Sequence, residues 1–227
     1  HRLMNGKNIV IIGASGFIGS AIMKEAFNRG HKVTAIVRHA HRIKEKNTDL
    51  TVKEADALNS NISDLLKGAD AVISAYNPGW GEANLDRDIK KGYNAIIKAV
   101  KDSEVPRLLV VGGAGSLYIQ KGITVLEAGM IDEAIVPAAM AMADVYDELK
   151  KLGNETEWTF FSPAGDIEHG KRTGKYKLDS DNLILDNQDS SRISVEDYAK
   201  AMIDELENPE HSGKRFTIGY EVAEEQI

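Results

Sequence analysis

Apolar and polar positions along this chain switch between short continuous apolar runs and helically spaced stripes. Residues 8–12, Asn-Ile-Val-Ile-Ile, end in four successive apolar side chains, the pattern of a strand buried on both faces. Ile18, Ala21, Ile22 and Ala26 then recur at helical spacing until Asn28-Arg29-Gly30 stops the run. Residues 31–38 read as a second strand, and residues 51–56 alternate as a third. A short helix around Ile62, Leu65 and Leu66 stops at Gly68, and residues 71–75 form a fourth strand. Residues 76–81, Tyr-Asn-Pro-Gly-Trp-Gly, read as a loop. Leu85, Ile89, Tyr93, Ile96, Ile97 and Val100 mark a crossover helix. Residues 107–112 make a fifth strand, residues 132–152 a long helix with Pro137 near its start, and residues 158–161 a sixth strand.

Between the first strand and the first helix stands Gly13-Ala14-Ser15-Gly16-Phe17-Ile18-Gly19, with glycine at every third position. Strand, glycine turn and helix together make the first half of a dinucleotide-binding βαβ unit. Gly13 turns the chain off the strand, Gly16 lets backbone approach a pyrophosphate, and Gly19 lets the helix pack on the sheet. The helix N-terminus then offers free N–H groups and a positive dipole end to the phosphates. Gly13, Ser15, Gly16, Phe17 and Ile18 are therefore the candidate phosphate-side contacts.

The alternation of strands and helices predicts an α/β fold, a doubly wound parallel sheet of the Rossmann type with helices on both faces. Crossover handedness gathers the strand ends at one switch point, so Gly13, Arg38, Asp56, Ser74 and Gly112 should line one cleft. The second strand ends in Arg38, where an acidic residue would hold the ribose 2′-hydroxyl of NAD; a cation there suits a 2′-phosphate. NADP is thus the predicted cofactor, with NAD as the alternative. Asp56, with Ala57, either bonds the adenine amino group or caps the next turn, and Ser74, Ala75 and Tyr76 follow as candidate cofactor contacts. The pattern changes near residue 165. Residues 175–178 and 183–185 look like short strands, Ser194-Val195-Glu196-Asp197 opens a helix with a capping pattern, and residues 215–219 form a last strand. The expected organisation is an NAD(P)-binding domain over residues 1–165. A small C-terminal α+β extension, residues 166–227, should pack on it and shape a substrate pocket over the cleft.

Composition narrows the chemistry. The chain of 227 residues has an ordinary hydrophobic share, enough for a full core. It has no cysteine, so disulfides, thiol nucleophiles and cysteine metal sites are excluded. Its formal charge of −7 argues against a nucleic-acid surface. No apolar run approaches the roughly 20 residues of a membrane span. No secretory pattern precedes the first strand, and Met4 reads as the native start after His1-Arg2-Leu3, so the expected location is the cytoplasm. The six histidines show no ligand spacing on a helix, and no metal is predicted.

The glycine pattern, Arg38, the Asp56 step and Trp158-Thr159-Phe160-Phe161-Ser162-Pro163 resemble the atypical branch of the short-chain dehydrogenase/reductase superfamily, which also holds the NmrA-like and epimerase/dehydratase-related proteins. The tail is more specific. His169-Gly170-Lys171-Arg172-Thr173-Gly174-Lys175-Tyr176, the stretch from Ile193 to Ala199 and Arg215-Phe216-Thr217-Ile218 are similar to NADH-flavin reductases of that group. The resemblance spans nearly the whole chain. It implies a Ser after the fifth strand and a Tyr-x-x-x-Lys pair as catalytic pieces. Ser116 and Tyr118 are the nearest hydroxyls to the first place, and Tyr146 with Lys150 has the second spacing. Their register is late: the pair is expected near residues 137–141, where neither a Tyr nor a Lys occurs.

The resulting expectation is an NAD(P)H-dependent reductase that passes hydride to a flavin-like or other flat small molecule. In such a reaction orientation matters more than a dedicated acid. Ser116 either bonds the acceptor or packs as an ordinary loop residue, and Tyr76 either stacks on the acceptor or packs onto a helix. Two alternatives stand beside it: a non-catalytic NADP-binding redox sensor, and a sugar-nucleotide epimerase or dehydratase. The expected partner is a small molecule, without nucleic acid or membrane, and no oligomeric state is predicted.

Overall fold

The computed structural model describes residues 6–79 and 84–223. Met4, Trp80 and Gly81 lie outside the described residues. An eight-stranded sheet runs through the molecule in the order β10-β12-β8-β5-β4-β1-β2-β3. Its members are β1 (Asn8–Ile12), β2 (Lys32–Val37), β3 (Leu50–Glu54), β4 (Ala71–Ser74), β5 (Arg107–Val111), β8 (Glu157–Ser162), β10 (Lys177–Asp179) and β12 (Lys214–Gly219). All are parallel to their neighbours except β10, which pairs antiparallel with β12. The chain leaves β1 toward β2 and β3, then returns to the other side of β1 with β4. The C-terminal ends of β1 and β4 are thus the switch point, where a crevice opens.

The apolar runs place side chains on both faces. Ile9 and Ile11 point into one core with α1 (Phe17–Asn28) and α5 (Val195–Glu207). Val10 and Ile12 point into the other, with α2 (Ser63–Leu66), α3 (Leu85–Ser103) and α4 (Val136–Lys150). This is the doubly wound α/β fold. A 3-10 turn, Glu133–Ile135, leads into α4, whose first turn carries Pro137, as its fixed φ suits that position. Ser194 caps α5 by accepting a hydrogen bond from the Asp197 N–H at 3.0 Å.

The later part of the chain departs from the expected pattern. A hairpin of β6 (Tyr118–Gln120) and β7 (Ile123–Thr124) leaves the end of β5, so Tyr118 is a strand residue. A small parallel sheet joins β9 (Asp166–Glu168) to β11 (Arg192–Ser194). The stretch expected as a strand at residues 183–185 forms no ladder. Its apolar alternation instead lays Ile184 against Gly219 at the end of β12, and a single bridge at Asn182 ties it to Tyr118. β12 adds to β8 inside the main sheet, so residues after 165 extend the sheet itself.

The N-terminal edge of the sheet is fastened by buried charge. Arg107 opens β5 and donates to Glu205 of α5 at 2.8 Å, to Thr159 Oγ1 at 2.8 Å and to the Glu157 carbonyl at 2.9 Å. Glu205 also accepts from the Glu210 and His211 N–H groups and pairs with His211 Nδ1 at 2.8 Å. Burial pulls the Arg107 guanidinium below its ordinary value, and Glu205 opposes that pull. Removing one member leaves the other charge buried and unpaired, which costs more than the pair itself supplies. Glu205→Leu should therefore lower stability by about 3–5 kcal/mol in urea unfolding, and adding Arg107→Met should restore part of the loss, the remainder reflecting the Glu210 and His211 donors left without their acceptor.

Candidate functional site

The glycine turn is built by close contacts of backbone with backbone. Gly13 has φ +79°, and a Cβ there would overlap the Ala75 carbonyl. A Cβ on Gly19 would overlap the Gly13 carbonyl. Gly13 N–H donates to the Ile36 carbonyl at 3.0 Å, and Ala75 N–H donates to that of Ile12 at 2.8 Å, so the turn is stitched to β2 and β4. Gly16 is different. It is exposed, its φ of −77° suits any residue, and a Cβ would meet only the Gly13 oxygen, at 3.5 Å. The fold requires Gly13 and Gly19 to lack side chains, but makes no such demand at Gly16.

Gly16 is also the N-cap of α1, and no side chain caps that helix. Its first turn, Phe17 to Ser20, contains no charge. Backbone N–H groups therefore face the crevice without a side-chain acceptor, as an anion requires. Ser15 is half-buried, Phe17 is exposed, and Ile18 packs partly into the core beside α1.

The remaining cofactor candidates lie on the same edge of the sheet. Arg38 is exposed and donates through Nη1 to the Pro78 carbonyl at 2.9 Å. Since β1 lies between β2 and β4, this side chain crosses the end of β1 and spans the crevice. Asp56 accepts from the Leu58 N–H and from Asn59 Nδ2, both at 3.0 Å, and so caps its own turn; Ala57 behind it is buried. Ser74 is fully buried, with its hydroxyl bonded to Tyr93 and to the Tyr76 N–H. Ala75 is half-buried.

Tyr76 does not present an open face for stacking. Its ring turns into α3, edge-on to Tyr93 at 5.7 Å and directly over Gly92, where a Cβ would overlap it. Only 9% of the residue is exposed. Its hydroxyl is buried without a hydrogen-bond partner among the described residues. Burial, helped by Asp56 and Asp88 and opposed by Arg38, pushes the phenol up to about 12. The hydroxyl is packed against Gly92 of α3 rather than open to the crevice.

Of the hydroxyls singled out for catalysis, Ser116 and Tyr146 are brought together, through an arginine that sequence reasoning missed. Arg215 of β12 donates to Ser116 Oγ at 2.8 Å and to Asp181 at 3.0 Å, and its guanidinium lies 4.6 Å from the Tyr146 ring centre. Lys150 stands 4.4 Å from that ring centre as well. Tyr146 packs on Phe160 and Trp158, and Trp158 pairs with Leu108 near the start of its strand. Phe160 pairs with Val110, one residue before the end of β5, and its ring lies against Gly112, so the cluster reaches from the start of β8 up to the exit of β5. At the strand ends the residues of α4 nearest the exit of β5 are apolar: Met142 against Gly113 and Ala139 against Gly115. Tyr118 is partly exposed on the hairpin. No local signal in the sequence marks Arg215, because its partners come from distant segments. Among the described residues no group of three or more His, Cys, Asp or Glu is arranged to hold a metal, and no helix is long and apolar enough to cross a membrane.

A family model described as NAD(P)H-binding matches residues 13–209. The chain is 40% identical over 213 residues to YwnB of Bacillus subtilis, an uncharacterized protein, covering 92% of this chain and 97% of that one. Among solved structures it is similar to a protein of Bacteroides thetaiotaomicron provisionally named an epimerase: 48% identity, TM-score 0.90, covering 97% of this chain and 100% of that one. It is also similar to a protein of Streptococcus pneumoniae provisionally named an NADH-flavin reductase: 35% identity, TM-score 0.80, covering 95% and 100%.

The glycines should separate by experiment. Gly19→Ala should cost about 2 kcal/mol or more through overpacking against the turn. Gly16→Ala should stay within about 1 kcal/mol of the parent. Thermal unfolding of both variants measures the difference.

Proposed function

The chain belongs to the NAD(P)H-binding family, and from that premise we propose that it is an NADPH-dependent reductase acting on a flat, flavin-like acceptor. The observation that carries the reading is Gly16: a side chain there is barred by nothing in the protein, so its absence is explained by a ligand that must touch the backbone. The first turn of α1 would hold the pyrophosphate through its N–H groups. Asp56, Ala57 and Ala75 would border the adenosine half. Reduced nicotinamide, when bound, supplies a hydride.

Arg38 supports the choice of NADP. Its Nη1 is held by Pro78, which fixes the plane of the guanidinium across the crevice and leaves the other edge for a phosphate. The name of the Streptococcus protein supports a flavin-type acceptor. So does the apolar surface at the exit of β5. Residues 136–142 of α4 carry no ionisable side chain, so no proton donor stands there on that helix. A ring that accepts hydride and takes its proton from water needs none, whereas a carbonyl becoming an alkoxide benefits from a positioned acid.

Titration with NADPH and NADH tests the cofactor reading. The parent should prefer NADPH by about tenfold or more, roughly 1.4 kcal/mol, and Arg38→Ala should erase most of that preference while leaving NADH affinity nearly unchanged. Gly16→Val should weaken both by at least about tenfold in a folded protein. Equal parent affinities would remove the NADP assignment, and an unaffected Gly16→Val would remove the site.

Tyr146→Phe tests the chemistry. Turnover with a flavin acceptor should stay within a few-fold of the parent, against the roughly 10²–10⁴-fold loss expected for a general acid. Binding without turnover on flavins or quinones would favour a dinucleotide-sensing regulator instead.

A further inference from the structure

A hydroxyl at the exit of β5 is held by a buried cation from β12. Ser116 follows Gly115, which lies against Leu126 and Ala139 of the apolar surface there. Its backbone is fixed on both sides. The Leu126 N–H donates to the Gly115 carbonyl, and the Val125 N–H to the Leu117 carbonyl, both at 2.9 Å. Arg215, whose side chain is only 3% exposed, donates through Nη1 to Ser116 Oγ at 2.8 Å. The guanidinium is itself held in place. Its Nε and Nη2 donate to Asp181 Oδ1 at 3.3 and 3.0 Å, and it packs on the Tyr146 ring. The Asp181 carbonyl accepts the Tyr118 N–H at 2.9 Å, so one residue anchors both the arginine and the hairpin that follows Ser116. With its oxygen accepting from Arg215, the half-buried Ser116 hydroxyl still has a proton to donate, and no acceptor for it stands among the described residues.

We propose that Arg215 is a positioning residue for the acceptor, holding Ser116 as a hydrogen-bond donor to the carbonyl oxygen or ring nitrogen that becomes negative on reduction. The inference rests on the reading that a flat acceptor lies on the apolar surface at the exit of β5. Hydride carries an electron pair from the reduced nicotinamide to the acceptor, and the charge comes to rest on a heteroatom conjugated with the receiving atom. Ser116 keeps its proton and bonds that anion, and water protonates it afterwards. A hydroxyl that accepts from a guanidinium is polarised and donates more strongly to an anion. Ser116 would touch the acceptor, and Arg215 acts only through it. The pair brings from β12 an electrophilic group that residues 136–142 of α4 lack. Lys150, the other cation at Tyr146, pairs with Asp147 at 3.1 Å and makes no bond to Ser116. The substrates such a donor favours carry a conjugated carbonyl, as flavins and quinones do.

The test is a binding measurement that needs no turnover. Oxidised riboflavin and anaerobically reduced riboflavin, whose ring is anionic at mildly alkaline pH, are each titrated into the protein. The preference for the reduced ring should be about fivefold greater in the parent than in Ser116→Ala, the excess of a charged over a neutral hydrogen bond. Arg215→Met should lose the same factor, and the double variant no more than either alone. Should Arg215→Met prove too unstable, Arg215→Lys keeps a cation and takes its place in the cycle. It should lose part of the factor beside Ser116 and nothing further beside Ser116→Ala. Unfolding midpoints check that each variant is folded, and NADPH affinity should be unchanged in all of them. A Ser116→Ala preference equal to the parent's overturns the donor. Losses that add in the double variant mean that Arg215 acts through the fold, and overturn its positioning role. A parent that binds riboflavin in neither state overturns the flavin-type acceptor, and the proposal with it, while leaving the dinucleotide site standing.

Discussion

The close approach of the α1 backbone to the turn after β1 governs the rest of the structure. Gly19 sits on the Gly13 carbonyl, and Gly13 sits on that of Ala75. These contacts press the start of α1 against the ends of β1 and β4, where the sheet changes direction. Everything proposed for the crevice follows from that placement. The helix dipole points into it, Arg38 reaches across it, and Tyr76 is forced beneath its rim. A helix displaced by the width of one methyl group would separate these parts.

The tail secures the same helix from outside. Residues 169–175 run from Phe17 along α1 to Glu25, which Arg172 grips through Nε and Nη2 on one edge of its guanidinium. The other side of this strap is fastened to α5, where the buried Asp197 accepts from Thr173, Gly174 and Tyr220. The segment that resembles flavin reductases in sequence is thus also the segment that ties α1 to α5.

The first half of the fold was legible because its strands are buried on both faces and its helices on one, so periodicity and glycine punctuation carry the information locally. The order of the first six main strands, the glycine turn and the N-cap at Ser194 follow from neighbours in sequence. The tail was less so. Residues 183–185 alternate like a strand, yet their partner is the end of β12 rather than a ladder, and alternation cannot distinguish the two. Tyr76 read as a loop aromatic because the small residue that admits its ring, Gly92, lies sixteen positions later on a helix. Ser116 read as a free hydroxyl because Arg215 is nearly a hundred residues away. The pairings that decide these side chains are long-range and leave no local mark.

The position of β12 has a consequence for how the protein is made. This strand lies inside the sheet, between β8 and β10, although it is the last strand among the described residues. Until residues 214–219 leave the ribosome, β8 presents an open row of backbone donors and acceptors, flanked by the bare rings of Phe160 and Phe161. The nascent chain carries a complete glycine turn and most of its parallel sheet through that interval, with one edge able to pair with another chain.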